Sequence, residues 1–186
     1  MIDLITCPQW HARQPRSPIQ VIGRSSEVIF HHTAGHHREI SGPQNESFEE
    51  ACRYAQDIQH LHMDINGWQD SGHNFLVTRG GQILQGRWLT VSAIEAGHMV
   101  ASAHCPGKNS QIGVEHEHLG IELMTPAQRE ASALLMAWIA RCYRRSTPLP
   151  ISPHRKYYPT ACPGNLKSEI PKVYALAQDI LTNGGL

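Results

Sequence analysis

Two stretches of this chain carry side chains that could share a metal ion. His31 and His32 directly follow the apolar run Val28–Phe30, and His154 and Cys162 lie eight positions apart on a segment containing Pro159 and Pro163. That second spacing is too wide for one helix face and too tight for independent elements, so a proline-stiffened loop must hold both. One histidine at a strand end and a distant histidine and cysteine on one loop could grip a single Zn2+ and leave a position open, as in a metal hydrolase. A thiolate with two neutral imidazoles leaves one net positive charge, a centre able to lower the pKa of a bound water to about 7. Singly, each residue is better explained as a satisfied structural histidine, a buried thiol or half of a disulfide. The conjunction points to the metal. Adjacent strand residues face opposite sides, so only one of His31 and His32 can serve, and periodicity does not choose.

The elements that must position these residues are readable in outline. Ser26–Thr33 is predicted as a strand whose continuous apolar run suggests burial on both faces. Gly35–Asn45 reads as a polar loop containing Gly42 and Pro43. Ser47 and Glu50 form a capping box opening a helix to about His62, with Ala51, Ala55, Ile58 and His62 on one stripe, broken at Asn66-Gly67. Asn74–Thr78 and Gln82–Gly86 read as a hairpin around Arg79, Gly80 and Gly81. Gln111–Glu117 is a further strand that puts Gly113 and Glu115 on the face opposite Ile112 and Val114. Thr125 as cap, Pro126 in the first turn and Gln128 completing a capping box start a second helix with a core stripe of Ala131, Leu134, Leu135, Trp138, Ile139 and Cys142, the last read as a buried thiol. A final helix should span about Leu166–Leu181 and end near Asn183, Gly184 and Gly185. The pattern implies an α/β fold: one domain over residues 1–186, a central mixed β-sheet with helices packed on its faces.

Composition narrows the options. The 186 residues suit one sizeable core, and 16 basic against 16 acidic side chains argue against a nucleic-acid partner. Histidine is the outlier at 13 copies; His36, His37, His60, His104 and His118 read as polar surface residues. Five cysteines at irregular spacing argue against a disulfide scaffold, a single bridge involving Cys105 being the exception to watch. The start lacks a basic n-region and no run is long enough to span a bilayer, so the expectation is synthesis in the cytoplasm without a signal peptide or membrane insertion.

Six segments, in order over about residues 9–165, resemble type 2 N-acetylmuramoyl-L-alanine amidases, the group that includes bacteriophage lysozyme-type amidases and animal peptidoglycan-recognition proteins. They are Trp10–Arg13, Val28–Gly35, Ile58–Asp64, Gly67–Val77, Ile112–Glu115 and His154–Gly164. The resemblance implies His31, His154 and Cys162 as zinc ligands, with His32 in the neighbouring variable place. It implies catalytic roles for Glu115, His73 and Thr160. His73 stands where relatives often have tyrosine, and Glu117 competes locally with Glu115. Trp68 with Gly67, and Arg155, are implied in substrate binding, the Gly67-Trp68 pair resembling that of domains preferring meso-diaminopimelic acid in the stem peptide.

The expected activity is zinc-dependent cleavage of the amide between N-acetylmuramic acid and L-alanine in peptidoglycan or muropeptides. A phage or prophage-type lysin, acting on the wall after release, is the first reading. A cytoplasmic amidase recycling anhydro-muropeptides and a non-catalytic peptidoglycan-binding module are alternatives. An unrelated zinc peptidase is disfavoured because no His-Glu-x-x-His sequence is present.

Overall fold

Val28–Phe30 does form the middle of a sheet, flanked by strand on both sides as its unbroken apolar character requires. The computed structural model describes residues 2–34 and 46–184. The elements run β1 (Val21–Ile22), β2 (Val28–His32), α1 (Phe48–His60), β3 (Phe75–Val77), β4 (Ile83–Gln85), α2 (Thr90–Glu95), β5 (Met99–Val100), β6 (Ile112–His116), α3 (Pro126–Cys142), β7 (Ile151–Pro153) and α4 (Ile170–Asn183). The main sheet has the order β4-β3-β6-β2-β7, and β1 pairs with β5 in a separate two-stranded ribbon. β3 and β4 are the expected antiparallel hairpin, whereas β3–β6, β6–β2 and β2–β7 are parallel. The sheet is therefore mixed, as expected.

Side-chain alternation divides the interior. Val28, Phe30, Phe75, Val77, Ile112 and Val114 pack against α3 and α4 through Leu135, Ile139, Val173 and Ala177. Leu76 and Leu84, on the other face, pack beneath Ala51, Ala55 and Ile58 of α1 together with Trp10. Each such large apolar side chain contributes about 1.5–3 kcal/mol by leaving water. The Trp10 indole N–H is also satisfied, donating to the Gln85 carbonyl at 2.8 Å.

Local chemistry sets most boundaries. Ser47 and Glu50 cap α1 reciprocally, as predicted. α1 ends at His60, however, and a π-helical turn over Leu61–Ile65 continues it before Gly67 turns the chain at φ +71°. α3 is capped by Thr125, whose hydroxyl oxygen accepts from the Gln128 amide at 3.0 Å. The Gln128 side chain does not complete a capping box. It is buried and donates to the carbonyls of Val77 and Glu117, joining α3 to the sheet. The last helix differs from expectation: Gly164–Glu169 is 3-10 helix, and α4 begins at Ile170 with Pro171 in its first turn, where the missing N–H costs nothing. Cys142 is half-buried at the margin of its stripe, not enclosed, and all five cysteines are free. β1, β5 and α2 are too short to leave a periodic signature in the sequence. The loop expected over Gly35–Asn45, His36 and His37 with it, and Gly185 lie outside the described residues. Among the described residues no helix is long and apolar enough to cross a membrane.

Thr125 has a second duty: its hydroxyl donates to the Arg79 carbonyl at 2.5 Å, tying the hairpin turn to the start of α3. Thr125→Ala should lower the unfolding free energy in urea by about 1–2 kcal/mol, and Thr125→Ser should recover most of it.

Candidate metal centre and its surroundings

Strand alternation resolves the adjacent histidines. His31 shares the α1 face of the sheet with Glu115, its register partner on β6. His32 turns the other way, its ring lying against Gly120, and approaches Cys162 only through its backbone amide, 3.4 Å from Sγ. β7 runs parallel beside β2 and delivers the chain into a 3-10 turn, His154–Lys156, that sets His154 next to His31 with ring centroids 4.2 Å apart. Glu27, just ahead of β2, pins this turn by accepting from Tyr157 Oη at 2.7 Å and Lys156 Nζ at 3.3 Å. The return of the loop is fixed by Asn165, whose amide donates to the Gly120 carbonyl at 2.7 Å. Gly164 adopts φ +64° with its α-carbon against Gly120, where a Cβ would strike the backbone.

The outcome is one donor atom each from His31, His154 and Cys162, all within 4.8 Å of one another. Cys162 Sγ lies 3.9 Å from His31 Nδ1. Usual Zn–N and Zn–S bond lengths in a tetrahedron put such atoms about 3.6 Å apart, so this pair lies close to the spacing zinc requires. His154 Nε2 is buried without a hydrogen-bond partner, a cost of the kind a metal ion removes. Burial, reinforced by neighbouring imidazoles, holds His31 well below its ordinary pKa and lowers His154 as well, so both present neutral rings. Burial also pushes the Cys162 thiol up to about 12, against the opposing pull of the His32 amide.

His73 stands next to this triad, its ring 4.5 Å from that of His31 and its Nδ1 3.0 Å from Glu115 Oε2. Both side chains are buried. Glu117, the competitor, is engaged elsewhere: its carboxylate accepts from the Arg79 amide at 3.0 Å and supports the hairpin turn. Beyond His73 comes His62, and Trp68 stacks on His62 at 4.7 Å. Trp68, His62, His73, His31, His154 and Tyr158 thus form a continuous row of rings. Gly72 permits this, since a Cβ there would collide with the Trp68 ring.

Comparison with known proteins gives this row a context. The family model described as N-acetylmuramoyl-L-alanine amidase matches residues 23–165. The chain belongs to that family. Peptidoglycan-recognition protein SC2 of Drosophila melanogaster is 30% identical over 173 residues, covering 91% of this chain and 85% of the relative. The solved structure of Drosophila PGRP-LB superposes with a TM-score of 0.73 at 27% identity, covering 91% of this chain and 93% of that one. The amidase LysC from Clostridium intestinale, at 19% identity and TM-score 0.67 over 94% and 97% of the two chains, shares the fold.

Within this amidase-family fold, the three expected ligands and Glu115 with His73 come together. Thr160 is on the loop, its oxygen accepting from the Cys162 amide at 3.2 Å, which leaves its hydroxyl proton free to donate. Arg155 is exposed and its guanidinium is tied back to the Ala161 carbonyl. Gly67 is exposed beside half-buried Trp68. His60 is a surface residue as expected, but His104 and His118 are not: they are 6% and 1% exposed. His118 Nδ1 accepts from the Gly120 amide, and His104 meets His31. His62 and His104 were not singled out as site residues in the sequence. The available hints were a histidine on an otherwise apolar helix stripe and a glycine in mid-strand at 113, which marks a close approach.

Gly164→Ala should loosen the loop that covers Cys162. In chelator-treated protein, the Cys162 thiol, 9% exposed, should then react several-fold faster with a colorimetric disulfide reagent, with Cys162→Ser giving the background.

Proposed function

We propose that this chain is a zinc-dependent N-acetylmuramoyl-L-alanine amidase that hydrolyses the bond between the lactyl carbonyl of N-acetylmuramic acid and L-alanine. The observation that carries the reading is the convergence of His31, His154 and Cys162 beside a buried carboxylate–imidazole pair. Zinc held by these three residues supplies Lewis-acid activation of water and of the amide carbonyl. The chain's own groups do the rest. Glu115 and His73 take up the proton lost by the attacking water and return it to the leaving amine, Glu115 orienting the His73 ring. The Thr160 hydroxyl donates to the oxygen on which charge develops. The exposed end of the ring row, Trp68 with Gly67, and Arg155 on the opposite loop border the path a glycopeptide would take.

Peptidoglycan recognition protein-LE, 25% identical with a TM-score of 0.75 over 91% and 92% of the chains, has been solved with tracheal cytotoxin, described as monomeric diaminopimelic acid-type peptidoglycan. That supports a diaminopimelate-type muropeptide as substrate here. The thiolate ligand and Thr160, where recycling relatives usually carry aspartate and lysine, support action on the cell wall as a phage or prophage-type lysin after release from the cytoplasm.

Purified protein should contain one zinc per chain and release stem peptides beginning with L-alanine from sacculi, seen by mass analysis. His31→Ala and Cys162→Ser should lose both metal and turnover. Thr160→Val should keep the metal and lower kcat about 10²–10³-fold. Metal-free protein that still cleaves muropeptides would falsify the mechanism; zinc-loaded protein that binds without cleaving would return the reading to a recognition module. Faster turnover of soluble anhydro-muropeptides than of sacculi would favour the recycling alternative.

Proton linkage offers a separate check. With the thiol near 12 and the imidazoles neutral, zinc uptake must displace one proton from Cys162, in addition to any that the bound water gives up near pH 7. Zinc affinity, measured by chelator competition, should therefore weaken about tenfold for each unit the pH falls below 7, and more steeply where the imidazoles protonate.

A further inference from the structure

His31 has two ring nitrogens, and the one turned away from Cys162 is not free. Its Nε2 lies 2.8 Å from His104 Nδ1, and His104 Nε2 lies 3.0 Å from the backbone carbonyl of Gln111. A carbonyl can only accept, so His104 Nε2 carries its proton. A neutral imidazole with a proton on Nε2 has a lone pair on Nδ1, so the proton between the two rings belongs to His31 Nε2. His31 Nδ1 is then left with its lone pair, and it is the atom 3.9 Å from Cys162 Sγ. His104 is buried between the rings of His31 and His73, a setting that disfavours a charged imidazole.

The end of this relay is held firmly. The Gln111 side chain accepts from Ser25 Oγ and from the Ser26 amide, both at 3.0 Å, and the Gln111 amide donates to the Lys108 carbonyl at 2.9 Å. The ring of His104 is seated over Gly113 of β6, where a Cβ would occupy the space of the imidazole. Gly113 lies in register with Ile29, two residues before His31.

We infer that His104 is a positioning residue for the metal: through the Gln111–His104–His31 relay it fixes His31 in the Nε2–H tautomer and presents Nδ1 to the ion, with Gly113 providing the seat. This rests on the reading of His31 as a zinc ligand. It assigns His104 a task that neither packing nor general polarity would require, because the relay specifies an acceptor at one atom. Outer partners of metal-bound histidines typically change metal affinity 10–100-fold when removed.

The test compares two variants of the full chain by chelator competition for zinc. His104→Phe fills the seat over Gly113 but offers no acceptor to His31 Nε2. His104→Asn places Oδ1 where Nδ1 was and keeps one. The expected result is zinc bound 10–100-fold more weakly by His104→Phe and within a few-fold of the parent by His104→Asn. Equal affinity in parent and His104→Phe, or equal losses in both variants, overturns the inference. A measurement on the unaltered protein stands apart from any folding defect: two-bond 1H–15N correlation of zinc-free protein should show His31 protonated on Nε2, and a proton on Nδ1 overturns the proposal. Parent protein that takes up no zinc, or His31→Ala that takes up zinc normally, overturns the metal reading itself; intact zinc binding that needs His31 but is indifferent to His104 removes only the relay.

Discussion

The parallel pairing of β2 with β6 is the constraint on which the rest of the site depends. It sets His31 opposite Glu115, and both side chains emerge on the α1 face because strand side chains alternate. A slip of β2 by one residue would exchange His31 for His32 opposite Glu115 and carry the His31 ring into the apolar layer beneath α3. Phe30 and Val114, paired in the same register and wholly buried in that layer, oppose the slip. The apolar core on one side of the sheet thereby holds the chemistry on the other side in place.

That arrangement carries an electrostatic burden. Imidazoles at 31, 73, 104 and 116 are buried close together, and burial keeps His31, His104 and His116 neutral. The rings of His31, His104 and His116 are accordingly held by specific hydrogen bonds rather than by solvent. His116 donates from Nδ1 to the His31 carbonyl, which fixes the strand backbone, while His104 engages the His31 side chain. His31 is held at both ends, and the pair His73–Glu115 is the one place in the group where a carboxylate meets an imidazole at 3.0 Å. Rigid support of this kind is what a site that must present lone pairs in fixed directions requires.

Much of the fold was legible because its longer elements carry strong local signals. The capping box at Ser47, the cap and proline opening α3, and the apolar run before His31 each appear where their chemistry predicts. What escaped was of two kinds. β1, β5 and α2 are held by tertiary contacts and have too few residues to show a period. Gln128 escaped because its side chain found two sheet carbonyls, a long-range opportunity that overrides the local capping pattern. Within the site, the triad was legible from residue type and spacing together with family likeness. His104 was not, because nothing near residue 104 marks it as internal; the only trace is Gly113, and a strand glycine does not say which side chain it admits. The same holds for His62, whose stacking on Trp68 depends on the π-helical turn that no propensity announces.

The donor residues come from the first and last quarters of the chain, at 31 and at 154–162. Bringing those ends together closes a loop of most of the polypeptide, a step that carries its entropic cost before any donor can meet another. The centre is therefore assembled by long-range closure, with β7 lying beside β2 in the closed arrangement. A chain still emerging from the ribosome, or one clipped before residue 162, lacks a member of this donor set, so the three side chains can meet only once nearly all of the polypeptide is present.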